Sequence, residues 1–236
     1  MTDIGDRLSG ARCVLFDFDG PVCRLFAGRP AGGIAERLVK RILRDIPAEE
    51  VGDDLLSTRD PFRVLRLFAN ERPGHPLLGV LHTLFTEEEV RAAQSAKPTL
   101  GAGPLIRTLA GLGRRLAVTT NNSADAARPY LARRNLLPCF GAAHVHGRVE
   151  DMDLLKPHPD LLLRALDGLG LPAWEALMIG DGASDAAAAD AAGVSFVGYA
   201  RNDRKYRELR GAGVSEPLIV RSLDVVRREV AELAER

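Results

Sequence analysis

The chain has 236 residues, 46% of them hydrophobic and 27% charged, a composition that suits one large or two modest globular domains rather than a disordered or membrane protein. Lysine plus arginine and aspartate plus glutamate balance at 32 each, so no net field argues for a nucleic-acid partner, and no apolar run reaches membrane-spanning length. Met1–Asp6 carries acid and no apolar core, so no signal peptide is expected. Cys13, Cys23 and Cys139 are odd in number and lack Cys-x-x-Cys spacing, which argues against a disulfide framework or a zinc site and for a reducing cytoplasm.

The first predicted element is a strand ending in Cys13-Val14-Leu15-Phe16-Asp17-Phe18-Asp19-Gly20-Pro21. Strand alternation would send Asp17 and Asp19 to one side at its end, and a Gly-Pro pair breaks it. From about Val22 to Pro98 the pattern is helical. Ile34, Leu38, Ile42 and Leu43 lie at helical spacing, and Pro47 before Ala48-Glu49-Glu50 reads as a first turn. Phe62, Leu65 and Phe68 share a face behind Pro61, and Leu77, Leu78, Leu81, Leu84 and Phe85 form a fourth stripe. Thr86-Glu87-Glu88-Glu89 fits a capping box opening a helix to about Ala96. Pro98, Gly101 and Gly103 mark a hinge.

Beyond Pro104 strands and helices alternate. A helix over Pro104–Leu112 stops at Gly113, and Arg115–Thr119 is a strand running into Thr120-Asn121-Asn122-Ser123. Ser123 caps a helix to Arg134, with Pro129 expected to kink or shorten it. A weak strand lies near Ala143–His146, and a helix runs from Pro159-Asp160 to Leu169. Ala176–Ile179 is a buried strand ending at Gly180-Asp181-Gly182, followed by an alanine-rich helix from Ser184 to Ala192. Val194–Tyr199 and Pro217–Val220 are strands, and Leu223–Ala234 is a closing amphipathic helix. This alternation predicts an α/β fold: a doubly wound, Rossmann-like parallel-sheet core formed by residues 1–21 and 99–236, with a small helical cap inserted over 22–98.

In a parallel sheet the carboxyl ends of the strands share one edge, so four loops can converge there. They are Asp17-Phe18-Asp19-Gly20, Thr119-Thr120-Asn121, Lys156-Pro157 and Gly180-Asp181-Gly182-Ala183-Ser184-Asp185. Together they offer four carboxylates, one or two hydroxyls and an ammonium. Carboxylates in that number need a counter-charge, and oxygen donors without a His/Cys cluster point to a hard cation such as Mg²⁺. Lysine, hydroxyls and loop N–H groups beside it suit phosphate, and an aspartate there can be a nucleophile. The competing readings are local. Asp181 can be a turn former, though the metal reading leads once Asp17 is accepted; Asp185 can instead cap the alanine-rich helix, and Thr119 is the alternative hydroxyl to Thr120. His158 reads as a loop residue.

These four segments, in this order, with a helical insert after the first, resemble the haloacid dehalogenase-like superfamily and within it the cap-bearing phosphatases. The resemblance spans nearly the whole chain. It implies Asp17 as the nucleophile that becomes a transient aspartyl-phosphate, and Asp19 as the general acid/base with its backbone carbonyl on Mg²⁺. It implies Thr120, with Asn121 and Gly20, against the phosphoryl oxygens, and Lys156 holding nucleophile and phosphate together. Asp181 and Asp185 would anchor the Mg²⁺, directly or through water. The implied activity is a Mg²⁺-dependent phosphatase acting on a small phosphorylated metabolite. A phosphomutase of the β-phosphoglucomutase type is the alternative, and a non-catalytic binding protein on the same fold a third reading.

Two positions depart from the pattern: Pro21 stands where Thr or Val is usual, and Gly182 where Ser is frequent. Both predict altered loop support rather than lost chemistry. Dehalogenation is not expected, because dehalogenases lack the acid at Asp19. Substrate choice would lie in the insert, which can act as a lid, with Arg24, Arg29, Arg59, Arg63 and His75 as polar candidates.

Overall fold

Strand β1 (Cys13–Phe16) is buried along its whole length and lies between two parallel neighbours, β4 (Arg115–Thr119) and β6 (Ala176–Gly180). The structure is a computed structural model that describes residues 3–235; part of the Met1–Asp6 segment read for a signal lies outside them. The six-stranded sheet is parallel throughout, in the order β5 (Val145–His146), β4, β1, β6, β7 (Ser195–Tyr199) and β8 (Ile219–Val220). Alternate side chains of β1 enter different layers. Val14 and Phe16 join the core beneath α1 (Asp3–Ser9), α6 (Ala102–Gly111), α7 (Ala124–Arg133) and α12 (Leu223–Ala234). Cys13 and Leu15 join Leu161, Leu162, Ala188 and Ala189 of α9 (Asp160–Leu169) and α10 (Ala183–Ala192). This two-sided burial is the doubly wound arrangement that the unbroken apolar run implies.

The chain runs from β1 outward to β4 on one side and to β6 on the other, so β1 is the topological switch point. Ligands of open α/β sheets bind beyond the strand ends at that position. The register puts Phe16 level with Val118 and Ile179, so Asp17, Thr119 and Gly180 follow at one height.

The insert contains α2 (Ala31–Ile42), α3 (Asp53–Ser57), α4 (Pro61–Glu71) and α5 (Leu77–Ser95). Ile34, Leu38, Ile42, Leu65, Phe68, Leu81 and Phe85 share an apolar cluster of its own. Leu43 falls just past α2 and is 40% exposed, and Ala48–Glu50 is a single 3-10 turn. The insert is not wholly helical: Cys23–Arg24 (β2) and Lys97–Pro98 (β3) pair antiparallel where the chain leaves and rejoins the core. No helix starts at Thr86. Leu77–Ser95 is one continuous helix, because no Gly or Pro interrupts it after Gly79 and Phe85, Glu88 and Glu89 are all buried. Its last turns leave the insert's cluster, and Ala92 and Ala93 pack on the main core. Conversely Met152 and Leu155, just before Lys156, pack into the insert's cluster.

Other differences are local. Gly103 lies inside α6, while Gly101 takes the left-handed conformation (φ 82°) before it. Pro129 is accommodated within α7. Pro217 belongs to a 3-10 turn preceding a two-residue β8. Among the described residues, α1, α3, the short α8 (Leu137–Phe140) and the highly charged α11 (Asp203–Gly211) escaped the apolar pattern.

Candidate active site

β1 delivers Asp17 to the sheet edge, and the backbone then turns sharply. Gly20 N–H donates to Phe18 O and Cys23 O, Cys23 N–H to Phe18 O, and the Thr99 hydroxyl to Gly20 O. With Pro21 offering no N–H, the turn is held by bonds of Gly20, Cys23 and Thr99. Gly20 has φ +151°, and a Cβ there would lie 2.4 Å from Asp181 Cγ. The loop after β1 and the loop after β6 therefore touch only because this residue has no side chain. Since β1 ends at Phe16, strand alternation does not extend to Asp17 and Asp19, and the two acids take different partners. Asp17 accepts from Lys156, whereas Asp19 Oδ1 accepts the N–H of Leu25 at 2.8 Å.

Lys156 is buried, and its ammonium reaches Asp17 Oδ1 at 2.8 Å, Asp185 Oδ1 at 2.5 Å and the Thr119 carbonyl at 2.9 Å. Its backbone is gripped from both sides by one side chain: Asn121 Nδ2 donates to Lys156 O at 3.0 Å, and Lys156 N–H donates to Asn121 Oδ1 at 2.9 Å. The other oxygen of Asp185 accepts the N–H groups of Asp181 and Gly182 at 3.1 and 3.0 Å. The helix-capping reading of Asp185 thus holds through one oxygen, while the other faces the lysine. Carboxylate oxygens of Asp17, Asp181 and Asp185 lie within 4.8 Å of one another. The Asp19 carboxylate stands outside this group.

Burial pushes all the acids for which a shift is resolved upward. Asp17 is raised by burial and by Asp185 and Asp19, against the pull of Lys156, and Asp181 is pushed up to about 7 against the pull of Lys205. Burial also raises Asp19, while the Leu25 N–H and the charges of Arg201, Lys205 and Arg24 pull it back. Lys156, paired with two carboxylates, is held protonated despite its burial. Three buried carboxylates with oxygen-only donors, two of them sharing a single lysine, fit a hard divalent cation. Asp17, Asp181 and Asp185 are the residues that could hold it.

The two threonines are both buried and differently engaged. Thr120 Oγ1 accepts Asn122 N–H at 3.1 Å and faces Asn122 Oδ1 at 3.1 Å, while Thr119 Oγ1 has no hydrogen-bond partner. Of the insert's polar candidates, four are engaged within it. Arg29 bonds Glu88 at 2.5 Å, Arg59 bonds Glu36 and Arg63 bonds Asp54, and His75 accepts the Leu77 N–H at the start of α5. Arg24, exposed on β2, is the one whose charge bears on Asp19. Sequence reasoning missed Lys205, whose ammonium lies 3.4 Å from Asp181. The signal was slight: Asn202 caps a helix with only Tyr206 and Leu209 at apolar spacing. It also missed Asn122, Glu89 and Arg148, which meet beneath the Thr120 loop.

Fold and site define a doubly wound α/β protein with a buried acidic centre, locked by one lysine, at its switch point. Residues 11–193 match the haloacid dehalogenase-like hydrolase family, and the chain belongs to that family. It is 32% identical over 219 residues to a phosphoglycolate phosphatase of Rhodospirillum rubrum, covering 80% of this chain and 81% of that one. It is 39% identical over 195 residues to a phosphoglycolate phosphatase of Pectobacterium atrosepticum, covering 81% of each. Among solved structures, a β-phosphoglucomutase from Clostridium difficile aligns over 96% of this chain and 100% of that one at a TM-score of 0.67. At 17% identity that likeness speaks for the fold alone.

Proposed function

We propose that the chain is a Mg²⁺-dependent phosphatase of small phosphate esters, with phosphoglycolate the first substrate to test. The reading rests on one observation above all: Lys156 bridges Asp17 and Asp185 beside a three-carboxylate cluster. Asp17 attacks phosphorus, the bond to the leaving oxygen breaks, and Asp17 becomes an aspartyl-phosphate. Asp19, made a weaker acid by burial, gives its proton to the leaving alcohol. It then takes one from the water that attacks the aspartyl-phosphate, returning Asp17 and releasing phosphate. Lys156 neutralises charge on Asp17 and the phosphoryl oxygens throughout. The Thr119–Asn121 loop supplies a buried hydroxyl to those oxygens. Asp17, Asp181 and Asp185, with the Asp19 carbonyl, would hold Mg²⁺, which would supply further electrostatic stabilisation of the transferring group.

The two phosphatase relatives match most of the chain in sequence, which favours hydrolysis over mutase chemistry. The three cysteines are free thiols and support a reducing cytoplasm as the setting. Among the described residues no helix is long and apolar enough to cross a membrane. Asp17→Asn should abolish phosphate release from a generic aryl phosphate in Mg²⁺ buffer while the protein stays folded. Unchanged release would overturn the assignment.

A further inference from the structure

We propose that Glu89 and Arg148 are a positioning pair that carries the alignment of Lys156 from the insert's long helix into the catalytic centre. The proposal rests on the role given to Asp17 and Lys156 above. Glu89 sits on α5 and Arg148 follows β5, and their side chains are 0% and 3% exposed. Arg148 Nη1 donates to Glu89 Oε1 at 3.0 Å, and Nη2 lies 2.9 Å from Oε2. The same carboxylate accepts from Asn122 Nδ2 at 2.8 Å and from Ser123 N–H at 3.2 Å. Arg148 in turn donates to the Asn121 carbonyl at 3.3 Å and to Thr86 Oγ1 at 3.1 Å, and its backbone N–H donates to Asn122 O. Its guanidinium stands 4.3 Å from the Phe85 ring centre, a cation–π contact that fixes its plane.

The chain can pass this closely because residue 147 is glycine. A Cβ there would fall 2.3 Å from the Ala124 nitrogen. The bonds form an unbroken path from Glu89 to Arg148, to the Asn121 backbone, through the Asn121 side chain to the Lys156 peptide, and through its ammonium to Asp17. A buried ion pair is poor evidence for stability, since desolvation offsets its attraction and apolar replacements are often as stable. Its placement is more telling. Each of its bonds outside α5 ends on residues 121–123, and Asn121 in turn grips the peptide of the lysine that holds the nucleophile. Neither Glu89 nor Arg148 has a bond to Asp17, Lys156, Asp181 or Asp185, so both act through Asn121.

The test compares Glu89→Gln, Arg148→Met and the double variant Glu89→Gln/Arg148→Met, using aryl-phosphate turnover, thermal unfolding and amide hydrogen exchange. The two single variants each leave a charge buried without its partner, and both should melt lower. The double variant removes both charges and keeps one acceptor oxygen, enough for Asn122 or Ser123 but not for both, so its melting temperature should recover most, though not all, of the loss. Its kcat should nevertheless stay about 10- to 100-fold down, the scale of a small misplacement of reacting groups, with KM for the ester within about twofold. The Lys156 amide should exchange faster in Arg148→Met and in the double variant than in the unmodified protein. Recovery of kcat together with melting temperature would make the pair merely structural and overturn the proposal, as would unchanged exchange at Lys156. If the unmodified protein turns over no phosphate ester, the phosphatase reading fails, and the exchange measurement still decides the positioning role.

Discussion

Asp185 presents one carboxylate oxygen to the Lys156 ammonium at 2.5 Å and the other to two backbone N–H groups at the start of α10. The side chain is both a helix cap and half of a buried ion pair, so changing its charge without its shape separates the two roles. Asp185→Asn keeps an oxygen for the cap and turns an amide group towards the lysine. Breaking a buried pair from one side costs about 3–5 kcal/mol, and Lys156 still has Asp17, so a smaller loss, about 2–3 kcal/mol, is expected in urea unfolding. A loss below about 1 kcal/mol, the scale of a cap alone, would show that the pairing contributes nothing.

The raised acids set the pH dependence of the metal-free protein. Asp181 has an ordinary value of 3.8 and is pushed up to about 7 by burial, and Asp17 moves in the same direction. A carboxyl raised on folding favours the folded state while protonated, and that contribution disappears as pH rises through the folded value. Metal-free protein should therefore lose stability between pH 5 and pH 8, by up to about 3 kcal/mol. Mg²⁺ should restore it, and restore more at pH 8 than at pH 5, because protons compete for the same oxygens. Urea unfolding with EDTA or Mg²⁺ checks both signs. An increment from Mg²⁺ that does not change with pH would contradict the argument.

Lys205 competes with any cation for Asp181, from 3.4 Å and with its side chain only 14% exposed. Lys205→Met keeps the apolar stem and removes the charge. At pH 8, where Asp181 is largely ionised, calorimetric titration should show Mg²⁺ binding about 3- to 10-fold tighter, equivalent to about 0.6–1.4 kcal/mol. Weaker binding in the variant would mean that the ammonium supports the metal site rather than opposing it.

Gly20 is a steric test of how the two acidic loops meet. Gly20→Ala places a methyl 2.4 Å from Asp181 Cγ at a φ of +151°, a backbone that side chains rarely adopt. Strain of this type costs about 1–3 kcal/mol, and relief requires Asp181 to move. Both stability and Mg²⁺ affinity should fall, and an unchanged affinity would show that Asp181 holds no metal.

What the sequence made legible was what lies within a few residues of a strand end. Asp17 follows an unbroken apolar strand and Asp181 follows another, so strand order alone brought them together. Lys156 was legible through the Lys-Pro pair and its place before a helix. The bracing beneath them was not, because Glu89 and Arg148 are 59 residues apart and neither sits in a local pattern that asks for a partner. Glu89 was instead read as part of a capping box at Thr86. Local composition allows a helix start there, and only the burial of Phe85 and Glu89 in three dimensions makes the helix continuous. The helix carrying Lys205 failed for the opposite reason: its nine residues carry no apolar stripe, and Leu209 alone is buried.

The hydrogen bond from Leu25 to Asp19 joins two events that are usually treated apart. Leu25 directly follows β2, one half of the two-stranded ribbon through which the chain enters and leaves the helical insert. A swing of the insert about that ribbon would lengthen or shorten this contact, and the N–H it carries steadies the ionised form of Asp19. Moving the insert and setting the acidity of Asp19 would then be one mechanical act. On the role proposed for Asp19, a lengthened contact would favour the protonated acid and a shortened one the carboxylate, so the position of the insert would set whether this group gives a proton or takes one.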